Sequence, residues 1–487
     1  MEIISAFVRE QQHYTKSQLR TLFCYDDAGI ERFIKNLRAY GILKTAANSA
    51  EQRELTELTD EDIQVTDEAA GNDGCYVFTY VGVVTAGRRV IKVYPKYIPA
   101  HREPLAEMKQ VLKVLERYSR SEEQIVSLFS GDGEHRGFNP LAVILYLLRD
   151  YFEYGVYHNA EDILEVNGVG DILWDRTVDS GFAVIEGGRP YYPEFITRRS
   201  VEDETDYFRR LHECVLTECS RQLHDAGLED LFDLETVSLS EESLDDFGSR
   251  EYMLDRITRE LNVQFNTHRQ ILLKTLRAYI AQDRKMLEDE QGISMFGTTA
   301  FHAVWEKACA AVFGSKLGVP LGQLSMNAPL APGYDRQARL IDLMEKPKWC
   351  GGGGFVREAK DTLIPDLITV ARQDGQDWFV IFDAKYYLLQ LEQDRPLEGN
   401  PGIGDVVKQY MYQLAYRNFI SDHRITAVKN CFLMPTEGVE IVSKGNVRLD
   451  MLAALGLEDI QIRLIPAGLL FDRYLNGGTI ELEALGL

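Results

Sequence analysis

The sequence predicts a multidomain α/β protein. It ends in an α/β sandwich with a mixed sheet, has a helical middle section, and starts with a small helix-turn-helix and β unit. Three observations carry this prediction. Two apolar, β-branched runs, Leu363–Asp366 and Val380–Lys385, flank an Asp-Gly turn signal at Asp374-Gly375. Helical apolar periodicity dominates from about residue 101 to 290. Two short helical patterns and a hairpin pattern open the chain. The sections expected are 1–100, 101–290 and 291–487.

Composition bounds the class. A chain of 487 residues has room for two to four cores. Its strongest apolar run, Leu141 to Leu148, is eight residues long and too short to span a bilayer. The first twenty residues lack a secretory pattern, and seven scattered cysteines suit a reducing compartment, so a cytoplasmic protein with no membrane role is expected. A net charge of −23 opposes tight DNA binding over the whole surface. Most of that charge lies in two tracts, however. Glu51 to Asp73 holds nine acids against Arg53, and Asp225 to Asp255 holds eleven against Arg250. The remainder is only mildly acidic and can carry basic faces, and a partner is expected to supply part of the grip on DNA.

At the amino terminus, Lys16 to Phe23 and Asp27 to Leu43 read as two helices. Ile30, Phe33, Ile34 and Leu37 share one face of the second, which puts Arg32, Lys35 and Asn36 on the other. Those cations and that amide suit DNA contact from a helix-turn-helix; a packing unit with a solvated face is the alternative. Tyr76 to Val84 and Arg88 to Tyr94 form a hairpin across Thr85-Ala86-Gly87, either a wing or, by preference, a separate small β unit.

In the middle section, Leu105 to Tyr118, Leu141 to Tyr154, Tyr207 to Leu223 and Tyr252 to Leu287 are expected helices. Between them, Ile163 to Thr177 reads as a turn and a short strand, and its glycines lack the third glycine and helix of a nucleotide loop. His212, Cys214, Cys219 and His224 cannot reach one zinc ion from a single helix, so the cysteines are assigned to the core.

The last section opens with the helix stripe Phe301, Val304, Trp305, Ala308 and Val312. Gly351–Gly354 is a loop without the Gly-Lys-Ser or Gly-Lys-Thr of a P-loop, and no Walker A sequence occurs in the chain. Any nucleotide-driven motor is therefore another protein. A two-residue loop at Asp374-Gly375 sets Asp366 opposite Asp383, with Lys385 on the same face. Two close carboxylates repel unless a cation lies between them, and hard oxygen ligands favour Mg²⁺, or Mn²⁺ in its place. Such a site can polarise a phosphodiester and activate water, with the lysine steadying the transition state. A buried Asp–Lys pair is the plainer alternative. Gln409, Gln413 and Tyr416 share one face of the helix from Asp405 to Ile420, where they could orient a carboxylate, a water or a phosphate. Val428 to Met434 and Ile460 to Ile465 would complete the sheet.

Pro365-Asp366 followed by Asp383-Ala384-Lys385 resembles the PD-(D/E)XK nuclease signature, and the helix with Tyr412-Gln413-Leu414-Ala415-Tyr416 resembles the Gln/Tyr helix that follows it. More narrowly, the chain resembles LlaJI-type restriction endonucleases, relatives of the McrC subunit of McrBC systems. Phe301–Glu306, Tyr94-Pro95-Lys96-Tyr97 and Gly170–Trp174 carry that likeness. The resemblance implies a Mg²⁺-dependent endonuclease of double-stranded DNA, working in a restriction or phage-defence system. Asp366, Asp383 and Glu306 would be the metal ligands, with Lys385 and Gln413 completing the catalytic set. It also implies a McrB-like AAA+ GTPase partner contacted through Asp171, Trp174 and Arg176, and an associated DNA methyltransferase system. The alternative is a DNA-docking, GTPase-activating adaptor that does not itself cleave.

Overall fold

The computed structural model describes residues 3–46, 75–100, 103–121, 139–158, 160–202, 206–281, 292–373 and 375–487. The acidic tract Glu51–Asp73 and Asp374 of the hairpin turn lie outside the described residues. The protein is mixed α/β, and the chain divides into two compact units, Met1–Ser127 with Met295–Leu487, and Leu128–Ser294. The sections expected at 1–100 and 291–487 thus contribute to one unit.

In that unit the helices Lys16–Leu22 and Asp27–Ala39 form as the sequence pattern requires. Thr15 and Gln18 make a reciprocal capping box at the first, and Asp26 caps the second by accepting from the Gly29 amide at 2.7 Å. Ile30, Phe33, Ile34 and Leu37 are buried, Arg32 and Lys35 are exposed, and Asn36 is half-buried. The second helix stops at Ala39, earlier than expected. Gly41 follows with φ +68°, and Leu43–Ala46 pairs as a strand with Cys75–Phe78, which also pairs with His13–Thr15. The single strand expected over Tyr76–Val84 is in fact two. Thr79 is held by Ile42 O and Gly41 O, which breaks the run. Cys75–Phe78 therefore belongs with the helices, while Val81–Ala86 forms a hairpin with Arg89–Tyr94 in another sheet. That second sheet has the order Ile4–Arg9, Arg89–Tyr94, Val81–Ala86, Ile293–Thr298. Gly82 and Gly297 allow its last two strands to meet, since a Cβ on Gly82 would stand 2.2 Å from Phe296 O.

The carboxy-terminal sheet has the order Leu367–Gln373, Gln376–Ala384, Ala427–Thr436, Ile460–Pro466, Val442–Val447. Its hairpin pairs Leu367 with Phe382 and Gln373 with Gln376, the register expected for a two-residue loop. The next two pairings are parallel and the last antiparallel, so the sheet is mixed. Side chains alternate between its faces. Ile368, Val370, Phe379 and Ile381 pack with Tyr412, Tyr416 and Phe419, and Phe432, Met434, Ile460 and Ile462 pack with Val406 and Tyr410. These partners put the helix Ile403–Ala415 on one face. On the other, Phe382 stacks on Phe313 at 5.5 Å, and Trp305 Nε1 donates to Leu433 O, so the helix Phe301–Val312 covers it. Burial of each such large side chain stabilises the fold by roughly 1.5–3 kcal/mol.

The second unit is built on the helices Pro140–Tyr154, Tyr207–Asp225, Arg250–Val263 and Thr267–Ala281. The long helix expected from Tyr252 is interrupted. Gln264 turns to extended backbone, and Asn266 accepts from the Arg269 amide to start the next helix. Residues 282–287 of that expectation lie outside the described residues. A β module interrupts the helices. Ala160–Val166 and Asp171–Ile172 flank Ile196–Glu202, with the helix Trp174–Ser180 and a small hairpin, Val184–Glu186 with Arg189–Tyr191. Among the described residues, no helix is long and apolar enough to cross a membrane.

Candidate active site

The hairpin register brings Asp366 and Asp383 together at the end of the paired strands. Asp366 stands one residue before its strand begins, and its Oδ2 accepts from the Ala384 amide at 2.8 Å. Asp383 is buried, on the face shared with Phe379 and Ile381. The two carboxylates lie close enough to act on one another directly. Burial raises both above the usual carboxylate range, and for Asp383 the neighbouring Asp366 charge adds to it.

Lys385 reaches the same place. Its Nζ donates to Asp383 Oδ1 at 3.1 Å and to Asp405 Oδ1 at 3.0 Å. Burial acts to lower the lysine, but Asp383, Asp405 and Asp366 outweigh it and hold the ammonium well above its ordinary value. Asp405 lies in the first turn of the helix Ile403–Ala415, where a carboxylate also meets the positive end of the helix dipole.

Glu306 approaches from the helix on the opposite face. Burial raises its carboxyl; His302, Lys385 and Asp383 also act on it through space. No group of three His, Cys, Asp or Glu side chains among the described residues is placed to hold one metal ion. The pair Asp366 and Asp383 therefore forms the core of the site, with Glu306 nearby. Gln413 is placed elsewhere. Its Oε1 accepts from Asn430 Nδ2 at 2.8 Å and from the Glu458 amide at 3.1 Å. Gln409 donates to Ile381 O of the sheet and Tyr416 to Leu340 O of the short helix Leu340–Leu343, so this polar face holds neighbouring elements in place.

Three contributions escaped the sequence reading. Asp405 is the lysine's second acceptor. Tyr412 donates to Ile364 O, fixing the strand that presents Asp366, and its hydroxyl is raised by burial and then by the two aspartates. Tyr386, next to Lys385, donates to the buried Glu10 at 2.6 Å, while the Lys96 ammonium lies 4.5 Å over its ring. The Tyr94–Tyr97 stretch is the only signal in the sequence that could have pointed to that clasp.

Other expected residues lie outside this cluster. Arg32, Lys35 and Asn36 are on the amino-terminal helix face described above. In the second unit, Asp171 pairs with Arg198 across the sheet, Trp174 is 55% exposed with its ring edge-on to Phe195, and Arg176 is exposed. Cys214 and Cys219 are buried, His212 accepts from the Tyr157 amide, and His224 pairs with Glu229.

A model of the LlaJI restriction endonuclease family matches residues 80–320 and 334–467. The chain belongs to the LlaJI restriction endonuclease family. A relative from Bacillus subtilis (strain 168), the Type II restriction enzyme BsuMI component YdjA, is 26% identical over 425 residues. That match covers 85% of this chain and 84% of the relative. Among solved structures, a half-complex of Thermococcus gammatolerans McrB AAA+ hexamers with bound McrC aligns at a TM-score of 0.38 and 13% identity. It covers 97% of this chain and 99% of that one. A second structure of the Thermococcus gammatolerans McrBC complex aligns at 0.26 and 12%, over 62% and 85%.

Within this LlaJI-family chain, the donor set can be tested against a divalent ion. The partly buried Asp366 and the buried Asp383 repel one another at the place where one cation would relieve that repulsion. Mg²⁺ asks for one or two carboxylates and fills its remaining positions with water and phosphate oxygens. Asp366 and Asp383 fit that demand.

Proposed function

We propose that this chain is the cleavage subunit of a restriction system, a PD-(D/E)XK endonuclease that hydrolyses double-stranded DNA. The observation that carries the reading is the meeting of Asp366, Asp383 and Lys385 at one end of a mixed sheet. Family membership supports it, and the component name of the Bacillus relative supports a role as one subunit among several.

Asp366 and Asp383 would hold Mg²⁺, with Mn²⁺ as a substitute, while Glu306 lies near them without completing a three-residue ligand set. When bound, the ion would supply Lewis-acid polarisation of the phosphodiester. Lys385 keeps its ammonium between Asp383 and Asp405, and from there it would stabilise the negative charge that develops on phosphorus-bound oxygen. A water oxygen would attack phosphorus as the bond to the departing sugar oxygen breaks. The water would give up a proton to solvent and the departing oxygen take one from solvent, while the charged lysine stabilises the transition state. Tyr412 and Tyr386 position the two strand ends that carry the acids and the lysine. Gln413 braces the sheet and is left out of the reacting set.

The partner would be a McrB-like AAA+ GTPase, since the sequence carries no Walker A loop. Asp171, Trp174 and Arg176 are the proposed contact, on the exposed side of the β module. An exposed tryptophan beside an arginine is a residue combination favoured at interface hot spots. Trp174→Ala with Arg176→Ala should reduce GTP-dependent cleavage and stimulation of the partner's GTPase together, while Mn²⁺ binding stays at the wild-type level. Loss of neither activity would remove this surface from the contact.

The amino-terminal helix is proposed to touch DNA through Arg32, Lys35 and Asn36. With all three changed to Ala, binding should weaken and the slope of log K against log salt should flatten by about two, near one unit per lost cation. Salt titrations of duplex binding measure this directly. An unchanged slope would assign the helix to packing or to a protein partner.

Cleavage itself is tested by incubating supercoiled plasmid with the chain, Mg²⁺, the ring GTPase and GTP. Nicked and linear products are expected.

A further inference from the structure

A second feature of the carboxy-terminal section lies close in sequence to the proposed site and has no part in it. The strands Lys348–Cys350 and Val356–Glu358 form a small antiparallel hairpin just before the strand that presents Asp366. All six of its strand residues are exposed. Trp349 is opposite Arg357, and opposed residues share a face, which Phe355 joins two positions along. Trp349 is 71% exposed and Phe355 55%, with the Arg357 guanidinium 5.7 Å from the Phe355 ring.

The turn is shaped to hold the rings in that arrangement. Phe355 lies back over Gly351, where a Cβ would come within 2.3 Å of its ring. Gly353 and Gly354 take φ values of +89° and +81°, which other residues rarely adopt. The Gly351 amide donates to Phe355 O at 2.9 Å and closes the loop. At the stem, Thr362 Oγ1 donates to Glu345 O and the Ala359 amide to Pro347 O. Tyr412 then ties Ile364 two residues before Asp366.

The charge of the hairpin also runs against that of the chain. Residues 346–360 hold Lys346, Lys348, Arg357 and Lys360 against the single acid Glu358, with Glu345 and Asp361 flanking the stem. Two large exposed rings at the tip of a stem, with arginine among them, form a poor solvated surface but suit nucleic acid. Cations pair with phosphates, and rings pack on sugars and base edges or wedge at a base step.

We propose that the Lys348–Glu358 hairpin is a DNA grip that holds the duplex beside the scissile phosphate. This rests on the nuclease reading above, and DNA is the occupant because of the local cationic excess and the short tether to Asp366. Arg357, on the face of the two rings, contacts phosphate. Trp349 and Phe355 pack against the groove.

The test uses the full chain, a fluorescein-labelled 30-base-pair duplex of random sequence, and fluorescence anisotropy in EDTA, so that cleavage is blocked. Trp349→Ala with Arg357→Gln should weaken binding about tenfold or more, and the salt slope should fall by about one. Circular dichroism melting and Mn²⁺ binding should match the wild type, because the hairpin is exposed and apart from the acids. Equal affinity and slope in wild type and variant would overturn the grip while leaving the nuclease reading intact. If the variant binds DNA normally but loses the GTPase partner in co-sedimentation, the hairpin is a protein contact and the proposal fails. If the wild type binds no duplex and cuts no plasmid even with its partner, the nuclease reading fails, and the grip with it.

Discussion

Asp383→Asn is expected to abolish DNA cleavage while leaving the fold intact and, at neutral pH, slightly more stable. The site places Asp366, Asp383 and Asp405 around the single ammonium of Lys385, with Glu306 nearby. Removing one negative charge relieves repulsion, and asparagine can still hydrogen-bond its neighbours. The pH dependence has a definite sign. In the folded chain both Asp366 and Asp383 are raised, first by burial, so the folded state binds protons more tightly than the unfolded one. Stability of the wild type is then highest below the ordinary aspartate value of about 4 and declines as pH rises from there toward the raised values. The variant cannot ionise at this position. Its advantage should be near zero at about pH 3 and grow above that, to on the order of 1 kcal/mol, or a few degrees in melting temperature. Divalent ions reverse the comparison. Mg²⁺ at a hundredfold excess over its Kd should stabilise the wild type by about 2.7 kcal/mol and the variant by far less. Undiminished cutting by Asp383→Asn would remove the catalytic assignment.

Lys385→Met separates charge stabilisation from metal holding. The ammonium is no ligand, so Mn²⁺ affinity should be retained or improved, while turnover falls by about 10²–10³. Folding should suffer instead, by about 3 kcal/mol at neutral pH, because Asp383 and Asp405 lose their shared cation. The lysine is raised in the folded chain, with the three aspartates outweighing its burial. Its contribution is therefore complete below the ordinary lysine value of about 10.4 and is lost only as pH climbs past it. The variant's deficit should shrink as pH falls and Asp383, raised in the folded chain, takes up its proton. Isothermal titration with Mn²⁺ and melting against pH measure both parts. Equal loss of Mn²⁺ affinity in Lys385→Met and Asp383→Asn would contradict the division of roles.

The centre of the site was legible in the sequence because a hairpin is a local structure. Asp-Gly between two apolar runs determines the register, the register opposes Asp366 to Asp383, and the period of two adds Lys385. The helix faces of Phe301–Val312 and Asp27–Ala39 were legible for the same reason, since one apolar stripe determines which side is buried. Asp405 was not. It reaches Lys385 across a loop of nearly twenty residues, and nothing in local spacing selects it from the other acids there. Gln413 sits on the helix face expected, but Asn430 in the adjoining strand competes for its carbonyl, and only the tertiary packing shows that. The break at Thr79 and the β module over 160–202 depend in the same way on partners distant in sequence. Glu10 and Tyr386 are separated by 376 residues, a pairing that no window of sequence contains.

DNA cleavage by Asp366, Asp383 and Lys385 is tested most directly by plasmid cleavage with Mg²⁺ by wild type and Asp383→Asn, each with and without a purified McrB-like GTPase and GTP. Nicked and linear DNA are expected only with wild type, Mg²⁺, the GTPase and GTP together, and none with the variant under any condition. Equal cleavage by both proteins, or no cleavage by the wild type with partner and GTP present, would contradict that assignment.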